Sequence, residues 1–409
     1  MADAAVQFVE ASPAPAEPER WSLARRFAFR FFCCYWLLYA VPEGGRVSFL
    51  PFGDFLFKWW ENGLHAVVPR IAIRIFHVTG QPATYFPTGS GDTTLQYITN
   101  LLYVVVALTA MLVWSGIDRR RPNYRTLDAW LRVFVRYTLA FTLFGYGFAK
   151  VFPLQFQPTP LRRFIEPYGV FSPMGVLWSF MGASVPYIIF SGISEVTGGL
   201  LLLFRRTTSL GAMVSFAVML NVAVLNYCYD TPVKLYSTNL TLMAVFLVAP
   251  DLRRLFDVLV RNRAVGPADL NPIRFHRRWL RIGAWVCWVL VVGFHSYSNV
   301  WGGWQAYKQT YRNPQRSPYY GIYDVESPGT WRKVAIQFPQ GISVRKADDT
   351  VQGYPTKDAK FTAPDTDHLT LEGTFDGAPT TIRLRKVDLS KYQLPNRGFH
   401  WINEFPFNR

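Results

Sequence analysis

Pro186-Tyr-Ile-Ile-Phe-Ser-Gly-Ile-Ser-Glu-Val-Thr-Gly-Gly-Leu-Leu-Leu-Leu-Phe204 is the stretch that decides the fold class of this 409-residue chain. It approaches the ~20 apolar residues with which a helix crosses the hydrocarbon of a bilayer, and it carries Glu195 near its centre. A carboxylate at that depth costs roughly 2.5–3.5 kcal/mol on insertion scales. A proton, a partner or water must offset that cost. At helical spacing Ser191, Gly192, Glu195, Gly198 and Gly199 fall on one face. Small residues let a second helix approach closely, so this face reads as helix packing and aims Glu195 into a bundle. Two roles stay open for the carboxylate: a structural hydrogen bond between helices, or a group that accepts a proton or orients a ligand.

Composition places this run in a membrane protein. Hydrophobic residues make up 50% of the chain, aromatic residues 17% and charged residues only 17%, against about 25% charged in soluble domains. Mean hydropathy is only +0.09, which fits a helical membrane core joined to polar extramembrane parts. The net charge of +16 does not indicate nucleic-acid binding. The arginines cluster at the ends of apolar runs and form no separate basic domain. All four cysteines (Cys33, Cys34, Cys228 and Cys287) lie in apolar runs and there is no C-x-x-C, which argues against a thiol–disulfide relay.

Working outward, residues 1–20 read as a disordered tail rich in Ala, Pro and Glu. Residues 21–125 read as N-terminal transmembrane helices, with an interfacial amphipathic helix over 51–79 and a strong span over 95–116. The first span runs from Trp21 to Val41-Pro42 and requires Arg30 to snorkel. Residues 126–260 read as a helical bundle: a span from Leu127 to Pro153, the Glu195 helix, and spans near 208–228 and 233–249. An interfacial connector, Gln155 to Gly182, lies within it. Residues 261–305 hold a basic segment with Arg274, Arg277, Arg278 and Arg281, then a last span near 279–298. Placing the arginine-rich ends on one side gives about seven transmembrane helices with a cytoplasmic N-terminus. From about residue 330 the pattern alternates as in strands, at Val334–Phe338, Leu369–Gly373 and Thr381–Arg385, with Asp376-Gly377 as a hairpin turn. Residues 330–409 therefore read as a small extramembrane β-rich domain, periplasmic if the membrane is a bacterial inner membrane. Its aromatic tail, Phe399 to Phe407, calls for a covering surface.

Lys150 ends the third span, with Tyr146 one turn before it, and is the natural countercharge for Glu195. Contact poses a depth problem, because Glu195 lies nine residues from Pro186, about 13 Å at helical rise, whereas Lys150 is at the outer end of its helix. A bridging water or Tyr146 would relax the requirement, and an outward-snorkelling lysine is the competing reading. Asn221, Asn226, Asp230, Lys234 and Asn239 gather toward one side of the bundle and suggest a polar pocket. Interhelical hydrogen bonds, and a local Asp230–Lys234 pair, are equally open. Of the six histidines only His295 falls in a span, so a bis-histidine haem has no second ligand. No metal or nucleotide motif is present.

Gly147-Phe-Ala-Lys150, Glu195-Val-Thr-Gly-Gly-Leu-Leu-Leu-Leu-Phe-Arg205, Thr208-Ser-Leu-Gly-Ala-Met213 and Asn221 resemble the DoxX-like family of bacterial membrane proteins, over roughly residues 130–257. The resemblance implies a four-helix bundle. Some members of that family are subunits of thiosulfate:quinone oxidoreductase or partners of other redox enzymes. It thus implies a quinone-linked oxidoreductase component in which Glu195, Lys150 and Tyr146 act on a bound quinone. No cofactor is held by the chain, and electrons come from a redox partner. A non-catalytic accessory subunit, with the β-domain docking a periplasmic protein, is the alternative. A helical core followed by an outer β-domain is also similar in architecture to the vitamin K-dependent carboxylase group.

Overall fold

The protein is described by a computed structural model covering residues 20–40, 53–86, 88–268, 273, 275–357 and 359–405. Residues 1–19 of the expected N-terminal tail, the Val41-Pro42 end of the first span, Arg274 and Phe407 lie outside these residues. The described residues form two compact units, and helix α4 contributes to both.

The first unit holds α1 (Leu23–Ala40), α2 (Gly53–Arg74), α3 (Thr94–Ile117) and the first half of α4 (Arg125–Val151), as far as Thr138. Thr93 caps α3 by accepting a hydrogen bond from the Gln96 amide at 3.3 Å, which satisfies one of the open N–H groups of the first turn. Helix α1 packs along α3, and the Tyr35 hydroxyl donates to Asn100 Oδ1 between them. Arg30 does not snorkel. It is 2% exposed and donates to Tyr124 Oη at 2.7 Å, Ser115 Oγ at 2.7 Å and the Asp118 carbonyl at 2.7 Å. Tyr124 in turn donates to Asp118 Oδ2 at 2.9 Å, and Phe29 stacks on its ring. A guanidinium with this many partners is cheaper to bury than to stretch to a distant interface.

The second unit holds the rest of α4, then α5 (Leu161–Ile165), α6 (Pro173–Gly182), α7 (Val185–Leu203), α8 (Thr208–Cys228), α9 (Lys234–Val248), α10 (Leu252–Leu259) and α11 (Arg278–Tyr307). Seven strands and α12 (Gln393–Asn396) follow. Residues 278–312 form one continuous helical rod, α11 closing in a π-turn over Lys308–Arg312. Near its end Tyr297 stacks on Trp301 and Trp304 on Tyr307, while Lys308 Nζ lies 5.9 Å from the Trp301 and Trp304 rings. The Tyr311 hydroxyl donates to the carbonyl of Pro153, just past α4, at 2.5 Å.

Four helical segments are long and apolar enough to cross a membrane: Thr94–Ile117, Val185–Leu203, Arg205–Cys228 and Arg278–Arg312. The expectation of about seven spans is therefore reduced on length and composition. Helix α1 carries Arg25, Arg26 and Arg30 in 18 residues. Helix α4 spreads five charges over 27 residues. Helix α9 has only 15 residues, about 22 Å of rise against ~30 Å of hydrocarbon.

The strands are β1 (Gly321–Ser327), β2 (Trp331–Phe338), β3 (Gly341–Lys346), β4 (Val351–Pro355), β5 (Lys360–Thr362), β6 (His368–Phe375) and β7 (Ala378–Lys386). They form one antiparallel sheet in the order β4-β3-β2-β1-β7-β6-β5. The β6–β7 hairpin pairs Phe375 with Ala378, and the two residues between them, Asp376 and Gly377, have φ of 50° and 82°, as a type I′ turn needs. One face buries Tyr323, Val334, Ile336, Val344, Leu371 and Ile382. The other face meets the expected interfacial connector: Leu161 and Ile165 of α5 pack on Ile322 and Ala335, and the Leu161 amide donates to Gln337 Oε1. With both faces filled, the aromatic tail stays uncovered. Phe399, Trp401, Ile402 and Phe405 are 77–90% exposed. The domain also begins earlier than expected, at Gly321, because β1 is buried at its start without a clean alternation.

Candidate functional site

Helices α4 and α7 meet through glycine. A Cβ on Gly192 would lie 2.6 Å from the Gly147 carbonyl oxygen and 2.8 Å from Lys150 Cβ. One on Gly199 would meet the Phe144 ring at 2.8 Å and the Ala140 carbonyl at 2.9 Å. On the flank toward α8, a Cβ on Gly198 would sit 2.8 Å from Ser215 Oγ. This is the close backbone approach that small residues allow in membrane bundles, and it carries Glu195 inward to 3% exposure.

Lys150 reaches Glu195 directly, with Nζ 2.8 Å from both carboxylate oxygens. The register resolves the depth problem. Gly147 and Lys150 stand level with Gly192, eight residues beyond the Ser184 cap of α7, so α7 projects about 12 Å past that level at helical rise. No bridge through Tyr146 is needed. Its ring instead faces the ammonium, centroid to Nζ 5.7 Å, in the range of a cation–π contact. Each charge compensates the other, which is what permits an ionised pair at this burial.

A cavity of about 370 Å³ lies against the pair, lined by Lys150, Glu195, Tyr146, Asn221 and Asn226 together with apolar side chains of α6, α7, α8 and α9. Most of its polar wall is already committed. Ser191 and Ser194 donate to backbone carbonyls on their own helix, and Asn226 Nδ2 donates to Ser237 Oγ at 3.1 Å. Two lining residues have buried oxygens that no protein group pairs with: Gln155 Oε1 and Thr231 Oγ1, Thr231 being 3% exposed. Asp230, Lys234 and Asn239 are not part of the wall. Lys234 pairs with Asp230 at 2.8 Å, and Asn239 donates to the Leu235 carbonyl of its own helix.

Two of the contributing residues were not picked out in the sequence. Thr231 follows Asp230, which adopts φ 50°. The Thr231 amide donates back to the Asn226 carbonyl at 2.9 Å, a Schellman closure of α8 with Asp in place of the usual glycine. Asp92 braces that turn from far away in sequence. Its carboxylate accepts from the Lys234 and Leu235 amides at 2.8 and 3.0 Å, capping α9, and the Gly91 amide donates to the Pro232 carbonyl. An Asp-Thr-Pro turn signals a helix stop, but nothing in it signals that the hydroxyl faces a cavity. Elsewhere in the unit His295 is buried and stacks on Phe141 at 4.3 Å. Among the described residues no group of three His, Cys, Asp or Glu side chains could hold a metal ion.

No family model matches the chain, and no solved structure matches it. It is similar to the uncharacterized protein YwoB of Bacillus subtilis (strain 168), 34% identical over 140 residues, which are 34% of this chain and 86% of that protein. With nearly all of that smaller protein matched at this identity, the chain belongs to the family of YwoB.

Proposed function

We propose that the protein is a DoxX-like membrane component that binds a quinone-type ligand in the cavity beside Lys150 and Glu195. The observation that carries the reading is the placement of a buried, bidentate ion pair on the wall of a cavity of about 370 Å³. That volume falls in the range of small-molecule sites, mostly apolar with a few convergent polar groups. A ring head fits there with its apolar chain among the α7 and α8 side chains. Reduction of a quinone takes two electrons and two protons. Glu195 supplies or accepts a proton, Lys150 balances its charge, and a redox partner carries the electrons.

The same reading places the protein in a bacterial cytoplasmic membrane with a cytoplasmic N-terminus and a periplasmic sheet. It makes α1, α4 and α9 additional crossings. Their charges are supported internally: Arg30 by Tyr124, Ser115 and Asp118, and Lys150 by Glu195. Paired charges cost less in a bundle than hydropathy averages assume.

Purification with native lipids, followed by solvent extraction and chromatography, tests the ligand. The expected outcome is quinone at near one per protein in the wild type and its loss in Glu195→Gln and Lys150→Met. Equal amounts in all three, or none in the wild type, would sink the reading. The uncovered Phe399, Trp401, Ile402 and Phe405 favour a second reading, an accessory subunit whose sheet domain docks a periplasmic protein. Intact complexes that disappear when residues 399–409 are removed, with no quinone bound, would establish it instead.

A further inference from the structure

Resting on the cavity reading, we infer that the site prefers the reduced, hydroxyl-bearing form of its ring ligand, and that Gln155 and Thr231 read that hydroxyl. Both residues line the cavity with a buried oxygen that no protein group pairs with. They stand at the same end of it. Phe156, next to Gln155, packs in one cluster with Leu225 and Tyr229 at the end of α8, two residues before Thr231. Tertiary structure fixes both positions. The Gln155 amide N–H closes onto the Ala149 carbonyl past the end of α4, and Thr231 is held by its Schellman bond and the Asp92 brace.

The two groups differ in what they can accept. A threonine hydroxyl both donates and accepts, whereas an amide oxygen only accepts. A ring hydroxyl satisfies both at once, donating to Gln155 Oε1 and accepting from Thr231. A ring carbonyl satisfies Thr231 alone and sets its own lone pairs against Gln155 Oε1. Leaving a buried acceptor unmatched carries a penalty close to that of a lost hydrogen bond, worth about tenfold in affinity. The ion pair does not supply this selectivity, since Lys150 and Glu195 together offer both donors and acceptors.

The experiment is a binding titration of the full chain in nanodiscs under argon, read by quenching of tryptophan fluorescence. The probe is a short-chain alkylbenzoquinone, added oxidised and then chemically reduced. For the wild type the reduced form is expected to bind about tenfold more tightly. Thr231→Val and Gln155→Leu should each erase most of that ratio by weakening the reduced form, leaving the oxidised form within about threefold. Thr231→Ser, which keeps the hydroxyl, should restore it. Glu195→Gln should weaken both forms together. Equal affinities of the wild type for the two forms would mean that water serves these oxygens, and would overturn the inference while leaving the cavity reading intact. A ratio unchanged in Thr231→Val and Gln155→Leu would overturn it as well. Failure of either form to bind would remove the cavity reading itself.

Discussion

Two sites in this molecule bury positive charge, and they do so in opposite ways. Arg30 is surrounded: hydroxyls of Tyr124 and Ser115 and the Asp118 carbonyl take its N–H groups, and aromatic rings close over it. Lys150 has one strong partner, Glu195, and next to that pair lie a cavity and oxygens without protein partners. A charge satisfied from all sides is structural, whereas one satisfied on a single side faces whatever fills the other. The contrast separates a fold determinant from a candidate site, although both residues look alike as lone cations in apolar sequence.

The strongest way to break that contrast is to strip one charge from each pair. Lys150→Met leaves Glu195 buried without its partner and should cost about 3–5 kcal/mol, read as a large fall in thermal midpoint in detergent. Lys150→Met combined with Glu195→Met should recover most of it while ligand binding stays lost. If single and double variants melt together, the pair is not coupled and the site loses its electrostatic basis. Next in size is Gly192→Val, whose added carbons collide with the Gly147 carbonyl. It should cost about 1–3 kcal/mol by overpacking and weaken ligand retention by forcing α4 from α7. Tyr124→Phe removes the hydroxyl that bridges Arg30 and Asp118, an expected loss of about 1–3 kcal/mol with ligand retention unchanged. Loss of ligand in Tyr124→Phe would erase the distinction between the two sites.

The smallest effect belongs to an exposed pair in the sheet domain, which marks the lower limit of the comparison. The hydrogen bond and charge of Asp365 hold His368 above the usual imidazole range, and backbone amides of residues 367 and 368 together with His368 hold Asp365 below the carboxylate range. A raised histidine contributes its stability in full below about pH 6.5 and loses it as pH rises through the raised value. The lowered Asp365 contributes above about pH 3.8 and loses its share as acid titrates it. Thermal midpoints of wild type and His368→Gln should therefore differ slightly at pH 5.5 and converge at pH 9. A difference as large as that of Tyr124→Phe would mean the exposed pair matters far more than its solvation allows.

What the sequence reveals follows from how local each feature is. Period 3.6 along α7 puts Glu195 with Gly192, Gly198 and Gly199, and all four are buried together. Asp376-Gly377 announces its hairpin, because a type I′ turn demands positive φ at both positions. Features joined only by folding are not legible. Tyr124 lies 94 residues from Arg30, and Asp92 caps a helix 142 residues on. Thr231 and Gln155 are ordinary polar residues near helix ends until the fold puts a cavity beside them. Strand β1 escapes because its burial runs in a block instead of alternating.

The bond from Tyr311 to the Pro153 carbonyl sets a level. Tryptophan, tyrosine and lysine collect where headgroups meet hydrocarbon, and Trp301, Trp304, Tyr307 and Lys308 mark that shoulder on α11. Tied to it, α4 leaves the bilayer near Pro153, and Lys150 lies three residues inside, about 5 Å. With α11 as a span, the ion pair thus sits at the shoulder of the leaflet instead of its midplane. Protons reach it from the aqueous side, and a ligand slides in sideways with its tail trailing among the lipids.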